Sequence, residues 1–405
     1  MNTSRISLAS ILLVITVVVL LTAIYFYPSE KNDNFASQGW RMIYGNPQGN
    51  CLGSYNTSSL TGKIMWSKSF KDGVGGLVVD GNGMLYVLTM ENIIHLNNRG
   101  DTLWELDMNF SFPMPAIDEY GNLYAARAYS VISLNEDGNI RWEFNFQNER
   151  VTAPLIVQNH ILYVLTSGAN LYMLSYKGKL LGKIELKDET YLPPLLSPQG
   201  EIYIGVKNAV YKFSLDGKRE WKLSLKGEIL NMALYEDMLY VTIDTDSHSF
   251  KSMLYLLSIS DKGDINREIY LNNFVEEWRT VKSLAVDKDG VYVGIAPAAL
   301  PCGATKSYGK NEESNSFIMK FDKRGNLIWK IGFYKIIEGL AISRDGLLYA
   351  TFSGYPLAKQ HCELYELNKR GEILWYVSLG YYIHNPVIGP DAIYAYGGHT
   401  IYSIG

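Results

Sequence analysis

A five-residue element, Gly-x-x-x-Trp, recurs along the chain and limits the fold more than any other feature. Its six complete copies are Gly62/Trp66, Gly100/Trp104, Gly138/Trp142, Gly217/Trp221, Gly325/Trp329 and Gly371/Trp375. Two more copies fall in register at Gly178 and Gly263, with Gly182 and Arg267 in place of the Trp. Glycine supplies the positive φ that tight turns require. The repetition therefore predicts a series of similar units rather than several unrelated domains.

A second feature, an apolar residue followed by Tyr, lies between successive Gly-x-x-x-Trp elements. It occurs at Tyr86, Tyr124, Tyr163, Tyr203, Tyr240, Tyr292, Tyr349 and Tyr394. These tyrosines are 37 to 57 residues apart, which is close to the period of a four-stranded propeller blade, about 40–50 residues. Helical periodicity is absent after the N-terminal segment. The sequence thus predicts an all-β, eight-bladed propeller of four-stranded blades.

Residues 115–146 illustrate one unit, in which alternating strands are separated by Gly-containing turns. The predicted strands are Pro115 to Asp118, Asn122 to Arg127, Val131 to Asn135 and Ile140 to Phe146. The eighth unit ends after its third strand, at residues 399–404. We expect residues 60–66 to supply the missing fourth strand and close the ring, because two unpaired edges would otherwise remain. An open solenoid would instead need dedicated caps, and none is seen.

The N-terminus contains an uncharged run at residues 6–27, long enough to cross a bilayer. Arg5 precedes it, and this charge bias favours the N-terminus inside and the rest of the chain outside. The alternative is a cleaved signal peptide. We therefore predict a membrane anchor at residues 1–29, a linker at 30–39 and a propeller at 40–405. The expected location is single-pass membrane, with the propeller on the extracytoplasmic side.

Charge and cysteine content exclude several classes of protein. The net charge is −4, whereas a general nucleic-acid binder usually carries a basic face, so no nucleic acid is expected as a partner. The three cysteines are Cys51, Cys302 and Cys362, which are too few for a disulfide scaffold and form no Cys-x-x-Cys pair. Phosphate-binding loops and the common hydrolase motifs are also absent from the sequence.

These repeats resemble the PQQ-type (quinoprotein-like) β-propellers, whose outer strands begin Thr-Gly-Lys-x-x-Trp. Residues 61–66 match that pattern, residues 40–47 resemble the family's segment before the first blade, and residues 153–164 resemble its inner strands. The resemblance implies that Trp66, Trp104, Trp142, Trp221, Trp329 and Trp375 dock between neighbouring blades. We accordingly expect Trp142→Ala to cost about 3–5 kcal/mol, and the same change at Trp40, outside the repeats, to cost less.

The same resemblance offers two kinds of function. Family enzymes use adjacent, bridged cysteines beside the quinone, together with acidic and Asn ligands for Ca²⁺, but no two cysteines of this chain are adjacent. The chain is closer to the family's non-catalytic, membrane-anchored branch, similar to the outer-membrane barrel-assembly propeller lipoprotein. The favoured function is a scaffold for another envelope or membrane protein, with no cofactor expected. The alternatives are a PQQ- and Ca²⁺-dependent oxidoreductase and a carbohydrate-binding module with Tyr-rich loops.

Long connections in units 5, 6 and 7 mark one face of the ring as the candidate binding face, since loops on rigid scaffolds often carry binding functions. Insertion drift without function is the alternative. Residues of the insertions include His248, Tyr308, Tyr355 and His361; residues near the starts of inner strands are Arg150, Tyr191, Glu228, Lys282, Glu338 and His384. Cys302 and Cys362 lie in neighbouring insertions and are predicted to form a disulfide in an exported protein.

Overall fold

The repeats fold into eight four-stranded antiparallel sheets. A computed structural model describes residues 39–108, 114–246, 252–276, 279–298, 316–353, 361–380 and 383–405. The sheets are the blades of an all-β propeller, which confirms the predicted fold class. Within the described part of the chain, no helix has the length and hydropathy needed to cross a membrane. The predicted anchor at residues 6–27 lies outside the described residues.

Blades 1 to 4 follow one another along the chain, each with four consecutive strands. They comprise β2 (Val74–Val79), β3 (Leu85–Thr89), β4 (Asn92–Leu96) and β5 (Thr102–Asp107); β6 (Ala116–Ile117), β7 (Leu123–Ala126), β8 (Ser130–Leu134) and β9 (Ile140–Asn145); β10 (Ile156–Gln158), β11 (Ile161–Thr166), β12 (Asn170–Ser175) and β13 (Leu180–Glu185); and β14 (Leu195–Leu196), β15 (Ile202–Val206), β16 (Ala209–Phe213) and β17 (Arg219–Ser224). The predicted strands of residues 115–146 thus agree with β6–β9 to within about two residues at each end.

Blades 5 to 8 complete the set, and a short 3₁₀ helix, Leu271–Asn273, follows blade 5. Their strands are β18 (Glu228–Tyr235), β19 (Met238–Asp244), β20 (Leu254–Ser260) and β21 (Ile265–Tyr270); β22 (Arg279–Asp287), β23 (Gly290–Pro297), β24 (Ser316–Phe321) and β25 (Leu327–Phe333); β26 (Ile336–Ile342), β27 (Leu348–Ser353), β28 (Glu363–Leu367) and β29 (Ile373–Ser378); and β30 (Val387–Ile388), β31 (Ile393–Gly397), β32 (Thr400–Ile404) and β1 (Ile64–Ser69).

Blade 8 joins the two ends of the propeller. Strand β1 pairs antiparallel with β32, with Ser67 opposite Tyr402 and Ser69 opposite Thr400. Beyond the strand, the amides of Thr61 and Lys63 both donate to the carbonyl of Gly405. The fourth strand of the last blade therefore comes from the start of the propeller, as the sequence predicted, and neither segment is left as an open edge.

The two ends of the ring differ in the connections they carry. At one end, which we call the turn face, tight turns join the first to the second strand and the third to the fourth strand of each blade. At the other end, the loop face, lie the connections between second and third strands and the links between blades. The enlarged connections after β19, β23 and β27 emerge on the loop face. The two faces differ because successive strands of a blade run in opposite directions. The first and third connections of each blade therefore lie at one end of the ring, and the second connection lies at the other.

A row of three side chains crosses the second, third and fourth strands of every blade. In blade 2, Tyr124 lies opposite Ser133, and Ser133 lies opposite Trp142. The corresponding rows are Tyr86–His95–Trp104, Tyr163–Met173–Gly182, Tyr203–Lys212–Trp221, Tyr240–Ser258–Arg267, Tyr292–Lys320–Trp329, Tyr349–Glu366–Trp375 and Tyr394–Ser403–Trp66. All eight tyrosines are buried, so each row begins in the interior between neighbouring blades.

Each Trp of these rows contacts the following blade. The indole N–H of Trp142 donates to the carbonyl of Tyr176 at 2.9 Å, and a Cβ added at Gly178 would lie 2.6 Å from its ring. Equivalent indole bonds join Trp66 to Asn98, Trp104 to Glu136, Trp221 to Asp261 and Trp329 to Lys369. The ring of Trp375 packs on Gly62 across the closure. These indoles remain partly exposed, because they lie near the outer edge of the blades.

Residues 40–57, which we call the axial strap, run around the axis at the turn face. Their carbonyls accept hydrogen bonds from the inner strands of blades 1, 2, 4, 5, 6 and 7 in chain order. The carbonyl–donor pairs are Trp40–Val79, Arg41–Ile117, Pro47–Leu196, Gln48–Leu234, Asn50–Val286 and Cys51–Ile342. Trp40 is only 2% exposed, so its burial does not support the expectation that Trp40→Ala costs less than Trp142→Ala. Trp40, at the start of the axial strap, is buried at the turn face, whereas Trp142 lies near the outer edge of its blade.

Candidate functional site

The six residues predicted to surround the axis on the loop face do lie near the starts of inner strands. Their positions follow from the blade order, since each inner strand runs from the loop face to the turn face. Glu228 begins β18, Lys282 and Glu338 lie within β22 and β26, and Arg150, Tyr191 and His384 precede β10, β14 and β30. Within the described residues, no hydrogen bond or ion pair joins any two of the six.

Glu338 and His384 are the pair whose charges influence each other, across the boundary between blades 7 and 8. Burial lowers the pKa of His384, and the nearby Glu338 carboxylate partly offsets that effect. Glu338 also accepts a hydrogen bond from Ser353 at 2.6 Å, and the His384 ring lies 5.2 Å from that of Tyr396. A neutral imidazole beside a carboxylate can accept a proton or a hydrogen bond from a bound group.

On the opposite side of the axis, Arg150 is held by Tyr129 of blade 2. Its Nε lies 3.3 Å from the Tyr129 hydroxyl, and its guanidinium lies 5.6 Å from the ring centroid. Tyr191 is 70% exposed and Glu228 and Lys282 are exposed as well. This part of the loop face therefore offers mixed charge and an exposed aromatic side chain, which suits a polar protein surface better than one small anion.

The sequence analysis missed the carboxylate next to Arg150. Glu149 accepts hydrogen bonds from Thr166, Asn170 and Tyr172, three side chains of blade 3. Burial opposes these bonds, but together they lower the pKa of Glu149. The alternation of β12 brings Asn170 and Tyr172 to one face of the strand, and this signal could have identified the site.

The enlarged connections leave β19 at Asp244, β23 at Pro297 and β27 at Ser353. Most of their residues lie outside the described residues, including the predicted His248, Tyr308, Tyr355 and Cys302. His361 is described and exposed, and its carbonyl accepts a hydrogen bond from Lys335 at 2.6 Å. Cys362 is buried beside it. The binding role of these insertions and the Cys302–Cys362 disulfide stay predictions.

Metal ions in proteins are held by groups of His, Cys, Asp and Glu side chains. In the described part of the chain, no three His, Cys, Asp or Glu side chains lie close enough together to hold a metal ion. Cys51 belongs to the axial strap, where burial raises the pKa of its thiol to about 12. A thiol with so high a pKa is a poor nucleophile and a poor ligand at neutral pH.

The interior between blades 4 and 5 holds a buried ammonium that the sequence analysis also missed. Lys212 is 2% exposed, and its Nζ lies 2.6 Å from Glu201 and 3.1 Å from Glu220, with Asp261 of blade 5 as its third partner. Burial alone would lower the pKa of Lys212, but the three carboxylates raise it above its usual value. The ammonium is the middle member of the Tyr203–Lys212–Trp221 row.

Comparison with known proteins agrees with this geometry. Residues 89–181 match the family model described as outer membrane protein assembly factor BamB. The fold is similar to that of BamB from Moraxella catarrhalis, with a TM-score of 0.60 and 12% identity over 85% of this chain and 100% of that chain. No curated protein sequence gives a significant match.

Quinoprotein enzymes share the fold too. A europium-containing methanol dehydrogenase has a TM-score of 0.66 and 12% identity, covering 91% of this chain and 92% of that chain. Quinohemoprotein alcohol dehydrogenase from Comamonas testosteroni has a TM-score of 0.66 and 10% identity, covering 94% and 83%. Identities this low show the fold alone. Residues 89–181 are thus similar to the BamB assembly-factor family model, within an eight-bladed β-propeller whose fold resembles those of BamB and the quinoprotein dehydrogenases.

Proposed function

We propose that this protein is a membrane-anchored, extracytoplasmic scaffold that binds another envelope or membrane protein. The match of residues 89–181 to the BamB assembly-factor family carries the proposal. It covers most of blades 1 to 3, and fold similarity to BamB extends over 85% of the chain. By this similarity, the protein would act in the assembly of a protein partner that is still to be identified.

The uncharged run at residues 6–27 supports the anchoring part of the proposal. A run of this length is sufficient to span the hydrocarbon core of a bilayer. Anchoring would hold the propeller near the membrane surface, and thereby raise the effective concentration of any membrane-embedded partner. The scaffold would then need only modest affinity for each contact.

The loop face is the proposed contact surface. It combines exposed Tyr191 with charges of both signs at Arg150, Glu228 and Lys282. The enlarged connections begin and end there as well, whereas the axis at the turn face is occupied by the axial strap. Aromatic and Arg side chains contribute strongly to protein interfaces. A partner would therefore bind across the loop face.

Site-specific photocrosslinking in membranes of the natural host tests this proposal. A photoreactive residue replaces Tyr191 on the loop face, and in a matched chain it replaces Leu215, which is 50% exposed on the turn face. We expect a discrete protein adduct from position 191 that is absent at position 215. No adduct at either position, or the same adducts at both, would contradict the scaffold role of this face.

Fold similarity to quinoprotein dehydrogenases favours a second candidate, a PQQ-dependent oxidoreductase. Its weakness is chemical, since Cys51, Cys302 and Cys362 cannot form the pair of adjacent cysteines that the family resemblance associates with quinone binding. The purified full chain is titrated with PQQ and Ca²⁺ and assayed for dye-coupled alcohol oxidation. Saturable PQQ binding with Ca²⁺-dependent turnover would favour the enzyme, and their absence would favour the scaffold.

A further inference from the structure

An open cleft of about 470 Å³ lies between blades 1 and 2 on the turn face. Its polar lining consists of Asp80, Asn82, Tyr86, His95, Glu136 and Asp137, and Trp104 forms part of its wall. The apolar side chains of Met84 and Leu103 complete the lining near the surface. The cleft is distant from the loop face and plays no part in the proposed scaffold contact.

Two buried side chains in the cleft lack hydrogen-bond partners within the described structure. His95 is 5% exposed, and neither of its ring nitrogens has a partner; the hydroxyl of Tyr86 has none either. The two rings are stacked, with centroids 4.2 Å apart and planes 7° from parallel. Burying polar atoms without partners is costly, so these atoms are suited to hydrogen-bond a polar group that enters the cleft.

His95 is neutral at physiological pH. Burial lowers its pKa to about 4, and a neutral imidazole keeps one nitrogen as a hydrogen-bond acceptor. The Asp80 carboxylate accepts the amides of Asn82 and Met84 at 2.8 and 2.9 Å. In the described part of the chain, neither Asp80 nor Glu136 forms an ion pair. The cleft therefore presents acceptors and negative charge, without a cation to balance them.

Blade 4 shows what fills the same position elsewhere in this ring. Lys212 occupies the row position of His95, and its ammonium contacts Glu201, Glu220 and Asp261. The repeat places Met84 at the position of Glu201, Leu103 at that of Glu220 and Glu136 at that of Asp261. The correspondence of Glu136 and Asp261 is direct, since each supplies the carbonyl that accepts the indole N–H of the preceding blade.

Blade 6 repeats the arrangement with a second lysine. Lys320 takes the same row position, and its Nζ lies 4.8 Å from the centroid of the Tyr292 ring. Asp287 of that blade corresponds to Asp80; burial lowers the pKa of Lys320, and the Asp287 carboxylate partly offsets that effect. Two blades with acidic groups at this boundary thus contain an internal ammonium, whereas blade 1 contains a shorter, neutral imidazole and an open volume.

We propose that the cleft between blades 1 and 2 binds an organic cation with an alkylammonium or guanidinium head group. Glu136 and Asp80 neutralise the charge, and His95 and Tyr86 accept hydrogen bonds from its N–H groups. Met84, Leu103 and the Trp104 ring contact the carbon chain that carries the head group. The ligand thereby replaces in blade 1 the ammonium that Lys212 supplies in blade 4.

An organic cation fits this site better than a metal ion. Among the described residues, no three carboxylate, imidazole or thiol groups are close enough to coordinate a metal, here or elsewhere. A guanidinium carries five N–H donors and an ammonium three, which suits the separated acceptors of the cleft. Two sources supply such head groups, namely a Lys or Arg side chain of another protein and a free polyamine.

Calorimetric titration of the purified full chain tests the proposal. The probes are N-acetyl-L-arginine amide, its uncharged isostere N-acetyl-L-citrulline amide, and putrescine. We expect the arginine derivative or putrescine to bind, and the citrulline derivative to bind at least about tenfold more weakly, because charged hydrogen bonds are worth roughly 1.5–3 kcal/mol. Binding of one cation alone identifies the source of the head group. No binding by either cation overturns the proposal.

Single substitutions test whether the cation binds in this cleft. His95→Lys installs the ammonium found in blade 4 and is expected to abolish binding, while Glu136→Gln weakens it about tenfold or more. Glu185→Gln, an exposed change in blade 3, is the matched control and leaves affinity unchanged. If His95→Lys fails to fold, Glu136→Gln alone decides. Affinity that is unchanged in Glu136→Gln, or equally reduced in Glu185→Gln, overturns the assignment.

Discussion

Trp142 of blade 2 packs against Gly178 of blade 3, and its indole N–H donates to Tyr176 in the same turn. The Gly and the Trp of one Gly-x-x-x-Trp element therefore serve different neighbours. Gly138 receives the ring of Trp104 from the preceding blade, whereas Trp142 reaches forward to the next. The same contact recurs at Gly62, Gly100, Gly263 and Gly371, whereas Ile184 and Ile269 take the place of the ring at Gly217 and Gly325. The spacing of the element thus reflects the geometry between neighbouring blades.

Replacement of Gly178 by Ala should destabilise the propeller. Its φ is +77°, a region that costs other residues roughly 1–2 kcal/mol, and the new Cβ would meet the Trp142 ring at 2.6 Å. We expect a loss of about 2 kcal/mol or more in the free energy of unfolding, measured with urea. The matched change Gly73→Ala, where the nearest atom is 3.5 Å away and φ is not positive, should cost much less. Equal losses would disprove the role of the contact.

The axial strap predicts that Trp40→Ala is more damaging than Trp142→Ala. Trp40 is 2% exposed, and truncation of large buried aromatic residues costs about 3–5 kcal/mol. Trp142 remains partly exposed, so less contact is lost there. Urea unfolding of the two single variants measures the difference. A smaller loss at Trp40 would show that the strap contributes little to stability.

Ring closure predicts that deletion of residues 60–70 destabilises the whole propeller. The deletion removes β1, which is the neighbour of β32, and leaves the edge of blade 8 unpaired. We expect a lower, broader thermal transition and a tendency to aggregate. Met65→Ala, an exposed change in the same strand, is the control and should be nearly neutral. A deletion variant that melts like the wild type would show that closure is dispensable.

The sequence was sufficient to predict the blades and their closure because both depend on local, repeated signals. Turn glycines and alternating strands recur every 37 to 57 residues, and the missing strand of the last unit is visible as an incomplete repeat. The axial strap is not repeated, so no period marks it. Its carbonyls bond to Val79, Ile117 and other inner-strand amides, and the side chains of Gln48 and Asn50 donate to inner-strand carbonyls, contacts that appear only once the blades are assembled.

The polar rows were missed for a different reason. The neighbours of His95 and Lys212 are set by the register between strands. A register shift follows each of these residues in the pairing of the third with the fourth strand. Sequence spacing along one strand does not show which side chains meet across three strands. For the loop insertions, the sequence predicts only where they occur and how long they are. Their conformation depends on tertiary contacts, which the sequence does not show.

The predicted disulfide between Cys302 and Cys362 would close a loop that spans two neighbouring blades. Cys362 is buried at the start of the segment that leads into β28, and Cys302 belongs to the connection after β23. Non-reducing peptide mapping of protein from its native membrane should recover a peptide pair linked through these residues. Free alkylation of both thiols, or a bridge from Cys51 to either one, would refute the pairing. Reduction should lower the melting temperature of the linked protein.

His95 predicts that stability decreases in mild acid. Burial lowers its pKa in the folded protein from 6.5 to about 4, so between these pH values the unfolded chain binds a proton that the folded protein does not. The free energy of unfolding should therefore fall as the pH is lowered through this range, by up to about 1.4 kcal/mol per pH unit. His95→Phe keeps the ring that stacks on Tyr86 but removes the titration.

The neighbouring carboxyls make the comparison with this variant necessary. Burial raises the pKa of Asp80, so its protonation in the folded protein acts in the opposite direction at the acid end of the range, and Glu136 also faces the cleft. Subtracting the pH profile of His95→Phe from that of the wild type cancels contributions that the two proteins share. The difference should grow steadily below pH 6.5, measured by urea unfolding in matched buffers. A flat difference would show that His95 gains a proton as readily in the folded protein as in the unfolded chain, and thus that its imidazole is not the desolvated acceptor assigned to the cleft.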